Sequence, residues 1–214
     1  MASIDTFNDW IIFEDEDLLA INKPSGVLSV PGKPPNPTPC VQDYIPTPQA
    51  ALLTIHRLDM DTSGILLMAK NKTAHRFMSM AFQNRETTKG YQALCAGIIG
   101  SWEGQIQLPM RCDWDNRPRQ CIDFVQGRHA QTHWQVIHQF DDYFSVKLSP
   151  ITGRSHQLRL HMKMIGHPIL GDTLYADQSA LTKASRLLLH ASHLGFIHPT
   201  THQSIALNNP ASFI

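Results

Sequence analysis

Between His56 and Lys70 the chain sets an arginine, Arg57, beside two carboxylates, Asp59 and Asp61, and a Thr62-Ser63-Gly64 bend. An apolar run, Ile65 to Ala69, follows directly. A carboxylate on a loop anchored to a buried strand can act as nucleophile, base or counter-charge, and a nearby guanidinium sets its ionisation. The same residue types also form ordinary turns, so hydrogen bonding of the bend explains them equally well. A further use is the acid pair of a glycosidase or nucleosidase, whose retaining form needs carboxyls about 5–5.5 Å apart across a sugar.

The flanking sequence predicts the elements that would position these groups. Trp10 to Ile21 reads as a hairpin turned by the acidic Glu14 to Asp17. A Pro/Gly loop, Asn22-Lys23-Pro24-Ser25-Gly26, comes next. Lys33 to Gln49 is proline-rich and cannot hold a long helix; it predicts a surface segment with a short helix around Val41 to Ile45. From Thr73 to Arg85, the spacing of Ala74, Phe77, Met78, Ala81 and Phe82 predicts an amphipathic helix with an apolar core face. Thr87 to Tyr91 leads into a strand over Gln92 to Ile99.

Ala130 to His138 and Tyr143 to Ser149 alternate as an antiparallel pair joined at Asp141-Asp142. The chain then turns through Pro150 to Arg154 into a helix, with Ser155 as its N-cap. On that helix Leu158, Met162 and Ile165 face inward and Arg159 is offset from them. Pro109 to Gln120 is a loop-like run holding Arg111, Trp114, Arg117 and Arg119. Arginine interleaved with an aromatic suits looped RNA, while a charged surface loop is an equal reading.

At 214 residues with 42% hydrophobic content, the chain is long enough for one large domain or two small lobes with a real core. No apolar run approaches the ~18 residues of a membrane span, and the first residues lack a signal-peptide pattern, so a soluble cytoplasmic protein is expected. The 4 cysteines form no Cys-x-x-Cys pair and are expected to be reduced thiols. The 12 histidines give no ligand set at a recognised spacing, so no metal is expected. Formal charge is zero, which argues against nonspecific nucleic-acid binding, but it is uneven: acidic residues dominate before Arg57 and basic ones after it.

His56-Arg57-Leu58-Asp59, followed by two residues and Thr62-Ser63-Gly64, resembles the motif of the RluA-type pseudouridine synthases. The resemblance continues through Asn22-Lys23-Pro24-x-Gly26, Lys89-Gly90-Tyr91-x-Ala93 and Gln157-Leu158-Arg159, and through Gly166-His167-Pro168 to Gly171-Asp172. Cys112-Asp113-Trp114-x-Asn116-Arg117-Pro118 is similar to the branch with dual specificity for 23S rRNA and tRNA. The family's fold is α+β, with a mostly antiparallel central sheet in two subdomains flanking an active-site cleft. The resemblance implies a single catalytic domain over residues 1–214, without a separate N-terminal RNA-binding module.

It also implies roles. Asp59 rather than Asp61 is the essential acid, because the motif's acid directly follows Leu58. Tyr91 stacks on the target uracil, and Arg159 pairs with Asp59. Arg57 fills the position of the extruded base or holds it, while Lys23, Arg154, Arg117 and Arg119 contact RNA. The implied reaction breaks the N1–C1′ bond of a uridine, turns the base and joins C5 to C1′, with no cofactor. Attack of Asp59 on C1′ or C6, or abstraction of a sugar proton, all fit. The expected partner is structured RNA, a tRNA anticodon-loop uridine and a 23S rRNA hairpin uridine, bound by a monomer with no obligate protein partner and no membrane. An RNA-binding protein without catalysis and a hydrolase using Asp59 and Asp61 are the competing readings.

Overall fold

The computed structural model describes residues 7–32, 38–45 and 52–214. Most of the proline-rich surface segment expected over residues 33–49 therefore lies outside the described residues. Its short helix does not: Val41–Tyr44 forms a single 3-10 turn. The chain divides into two units, Met1–Lys89 with His190–Ala211, and Gly90–Leu189 with Ser212–Ile214.

In the first unit, β1 (Ile11–Glu14) and β2 (Leu18–Lys23) form the expected antiparallel hairpin. Asp15 closes its turn, accepting the Asp17 and Leu18 N–H groups at 2.8 and 2.7 Å. β3 (Leu53–Thr54) and β2 both pair antiparallel with β4 (Ser63–Ala69). All seven residues of β4 are buried. A strand covered on both faces reads as an unbroken apolar run, as Ile65 to Ala69 does.

Helix α1 (Lys72–Asn84) begins where the Asn71 side chain accepts the Ala74 N–H, and it ends at Arg85 in the left-handed region. Ala74, Met78, Phe77 and Phe82 pack with Leu18, Ile65 and Leu67, as the helical spacing predicts.

β5 (Thr88–Ala96) carries the chain into the second unit at Gly90, and β6 (Glu103–Gln107), β7 (Met110–Cys112) and β8 (Gln120–Ile122) follow. β9 (Gln131–Gln139) and β10 (Tyr143–Pro150) form the predicted antiparallel pair. β5 flanks β10 and β6 flanks β9, also antiparallel. Phe144, Val146 and Leu148 of β10 join Val136, Leu158 and Met162 in one core, with Ile165 packed against it. Each such large apolar side chain contributes about 1.5–3 kcal/mol on full burial. That core anchors α2 (Gln157–Met164) to the sheet.

Two expectations change in this unit. The run over residues 109–120 is not a plain loop, since β7 and β8 pair as a hairpin with Met110 opposite Ile122. Its strands are only three residues long, too short for alternation to register. Nor is Ser155 the N-cap of α2: that position is His156, at φ 54°. The Gln157 side chain organises the turn instead, accepting from Thr152 Oγ1 at 2.7 Å and from the Arg154 N–H at 3.1 Å.

A short helix, α3 (Gln178–Thr182), precedes the return to the first unit. There β11 (Leu189–Ile197) runs parallel to β4, and β12 (Ser204–Asn208) pairs antiparallel with β11. Gly64, at φ +111°, permits the parallel contact, since a Cβ there would lie 2.3 Å from the Ala191 carbonyl oxygen. Ser63 and Gly64 thus begin the strand rather than form the bend. The fold is α+β and mostly antiparallel. Among the described residues, no helix is long and apolar enough to cross a membrane.

Candidate active site

The loop carrying Asp59 is strapped to the segment Lys23 to Ser29 at Leu58, Met60 and Asp61. Ser29 Oγ donates to the Leu58 carbonyl at 2.8 Å and accepts the Leu58 N–H at 3.0 Å. The Gly26 N–H donates to the Met60 carbonyl, and Ser25 Oγ to the Asp61 carbonyl at 2.7 Å. The Thr62 N–H closes the turn onto the Asp59 carbonyl at 3.1 Å. These bonds engage main-chain atoms of the Asp59 loop. Asp59 is half-buried on this fixed loop, and Arg57 beside it is exposed.

Lys23 departs from its expected role. It is fully buried, and its ammonium donates to the carbonyls of Pro24, Val27 and Met60 at 2.8, 2.7 and 3.0 Å. All three donors serve the loop, which leaves none to reach RNA. Burial pushes the Lys23 pKa down to about 8, against the opposing pull of Asp61 and Asp59. The cation that sequence reading assigned to substrate is instead the clamp of the Asp59 loop.

His56 anchors the start of the stretch. Its Nε2 accepts the Leu67 N–H from β4 at 3.0 Å, and its ring stacks on Phe82 at 4.5 Å between centroids. Burial, with a smaller push from Lys89, holds its pKa down at about 3, so the imidazole is neutral as the acceptor role requires.

In the second unit Tyr91 sits half-buried on β5 opposite Leu148, packed against the core. Arg159 is 2% exposed on α2. Its Nε and Nη2 donate to Asp172 Oδ2 and Oδ1 at 2.8 and 2.6 Å. Asp172 Oδ1 also accepts the N–H groups of Leu174 and Tyr175. Asp172 was not singled out from sequence; it closes the Gly166-to-Asp172 pattern, but nothing in its spacing ties it to Arg159.

A directional chain of buried polar groups holds the helix. Gln157 Nε2 donates to Thr132 Oγ1, and Thr132 Oγ1 lies 3.0 Å from His161 Nδ1. His161 Nε2 reaches the Leu108 carbonyl at 3.2 Å. With Nε2 as donor, Nδ1 accepts from the threonine, and burial lowers the His161 pKa in keeping with this neutral state.

The β7–β8 hairpin presents Trp114, 63% exposed, with the Arg117 guanidinium 4.1 Å above its ring. Arg119 is exposed beside them. Arg111 is occupied: its Nε donates to Asp123 at 2.6 Å, and chiefly for that reason Asp123 is held down at about 2. Arg154 Nε donates to the His129 carbonyl at 3.2 Å. Of the sequence candidates, Arg57, Asp59 and Lys23 therefore share the first unit, while Tyr91, Arg117, Arg119, Arg154 and Arg159 share the second.

Comparison with known proteins matches residues 17–164 to the family model described as RNA pseudouridylate synthase. A Vibrio cholerae relative, the dual-specificity RNA pseudouridine synthase RluA, is 45% identical over 207 residues, covering 95% of this chain and 83% of the relative. Its Escherichia coli namesake is 43% identical over 204 residues, covering 95% and 93%. Among solved structures, human RNA pseudouridylate synthase domain containing 1 superposes with a TM-score of 0.81 at 30% identity, covering 95% of this chain and 84% of that one. Human RNA pseudouridylate synthase domain containing 4 shares the fold, with a TM-score of 0.79 at 23% identity over 98% and 92% of the two chains.

Proposed function

The chain belongs to the RNA pseudouridylate synthase family, and on that premise we propose that it isomerises specific uridines of stem-loop RNA with Asp59 as the essential carboxylate. The family match over residues 17–164, which contains Arg57, Asp59, Tyr91 and Arg159, is the observation that supports this reading. Both units act in it as one catalytic domain. The N1–C1′ bond breaks, the base turns while bound and C5 bonds to C1′; the C5 proton leaves and N1 regains one. No group is added or removed, so one carboxylate with a counter-charge is enough.

Asp59 acts at C1′, at C6 or on a sugar proton, and Arg159 supplies a counter-charge. Tyr91 stacks on the uracil. The target nucleotide must leave its stack, at a cost of a few kcal/mol that is least in a loop. Arg57, exposed next to Asp59, holds the extruded nucleotide or fills its place. Arg117, Arg119 and Arg154 meet RNA phosphates, which makes activity fall as salt rises.

The dual specificity in the names of the relatives, together with Cys112-Asp113-Trp114, supports a tRNA anticodon-loop uridine and a 23S rRNA hairpin uridine as substrates. The protein acts in the cytoplasm as a monomer in this reading. The test uses transcripts of both stem-loops carrying tritium at uridine C5. Tritium release with pseudouridine in the digested product is expected from each. Reaction with other RNAs but neither stem-loop overturns the substrate assignment; free uracil in place of pseudouridine marks a hydrolase.

A further inference from the structure

Tyr175, in the second unit, touches the hairpin, the start of α2, the Arg159 guanidinium and the carboxylate that holds it. Its side chain is 5% exposed in a cluster with Met110 of β7, Leu160 of α2 and Ala130, against which Ile122 of β8 packs. The hydroxyl accepts the N–H of Gln120, the first residue of β8, at 2.8 Å. On its other side His156 Nδ1 lies 2.9 Å away. The hydroxyl thus lies between the Gln120 N–H and the His156 imidazole. His156 is the left-handed residue that begins α2, three positions before Arg159.

The Tyr175 ring lies 5.4 Å from Arg159 Cζ, and its backbone N–H donates at 3.1 Å to Asp172 Oδ1, the oxygen that receives Arg159 Nη2. We propose that Tyr175 is a positioning residue that couples the β7–β8 hairpin to Arg159, so that RNA engaged at Trp114 and Arg117 is felt at the guanidinium. The inference rests on the proposed function, in which the hairpin meets RNA and Arg159 assists Asp59.

Packing alone does not select tyrosine here. A phenylalanine would fill the same cluster and keep its ring against Arg159 and His156, but would lose the hydroxyl that bridges Gln120 and His156. A tyrosine ring is also a stiff connector with few torsions, so a shift at the start of β8 reaches α2 with little slack. Arg119 and the Trp114–Arg117 stack lie directly before that joint in the chain.

The experiment measures kcat and KM for pseudouridine formation on a stem-loop RNA by wild type, Tyr175→Phe, Trp114→Ala and the double variant. Coupling predicts that Tyr175→Phe lowers kcat about tenfold with KM within about twofold, but lowers it less than about twofold once Trp114 is removed. The same factor in both backgrounds, or an unchanged kcat, overturns the coupling. If Tyr175→Phe does not fold, His156→Ala removes the partner of the hydroxyl from the other end of the joint and enters the same cycle with the same expectations. Wild type that forms no pseudouridine overturns the proposed function and the coupling with it; active wild type with an additive cycle overturns the coupling alone.

Discussion

Arg159 and Asp172 form a two-point ion pair, at 2.8 and 2.6 Å, with their side chains 2% and 0% exposed. Asp172 is itself fixed by the Leu174 and Tyr175 N–H groups, so the guanidinium plane is set by a carboxylate that cannot easily rotate. Only two of the five guanidinium N–H donors are needed for this lock. The arginine is thereby oriented before any substrate arrives.

Asp172→Asn should be costly on both counts. It removes the charge that faces two donors of a buried guanidinium, and taking away one partner of such a pair costs about 3–5 kcal/mol. A lower thermal midpoint and a lower kcat, the latter measured well below that midpoint, are expected. Wild-type values for both would mean that the pair does not set Arg159.

Lys23→Met tests whether that lysine serves the loop or the RNA. Three carbonyls lose their donor, at about 1–3 kcal/mol for each buried group left unsatisfied. The thermal midpoint should fall while the affinity of the folded protein for RNA stays unchanged. Weaker RNA binding at an unchanged midpoint would restore the RNA-contact role.

Acid stability reports on His56. Its pKa is about 3 in the folded protein and 6.5 as the reference for the unfolded chain, so between these values the unfolded chain binds the extra proton. Its contribution to stability is therefore present above about pH 6.5 and is lost as pH falls toward 3. Urea midpoints should drop more steeply on acidification for wild type than for His56→Gln, whose amide can still accept from Leu67 but does not titrate. Parallel curves would show that the neutral imidazole is not the cause.

Trp114→Ala should weaken binding as well as lower kcat through Tyr175. Loss of a base-stacking aromatic costs about 1–3 kcal/mol, so KM for a stem-loop RNA should rise with the thermal midpoint unchanged. An unaltered KM would leave the hairpin outside the RNA interface.

Much of this was legible in the sequence, and the reasons for the rest are physical. The run Ile65 to Ala69, the stripe Ala74 to Phe82 and the alternation of Phe144, Val146 and Leu148 are periodic signals, and each gave its element. The order of Arg57, Asp59, Tyr91 and Arg159 carried the family. Charged side chains misled where type was taken for exposure: Lys23 is a cation at the mouth of a Pro/Gly loop, yet its donors point inward to three carbonyls. Asp172 and Tyr175 depend on contacts 13 and 55 residues away, to Arg159 and Gln120, and no local spacing announces such pairs. His156 as the start of α2 was hidden because Gln157, not a capping serine, ties the preceding turn.

Tritium release from C5-labelled stem-loop RNA by wild type, Asp59→Asn and Asp61→Asn is the decisive test of the proposed role of Asp59. Pseudouridine is expected from wild type and from Asp61→Asn, and none from Asp59→Asn, with RNA binding and the thermal midpoint of Asp59→Asn intact. Pseudouridine formed by Asp59→Asn at a rate near that of wild type would contradict that role.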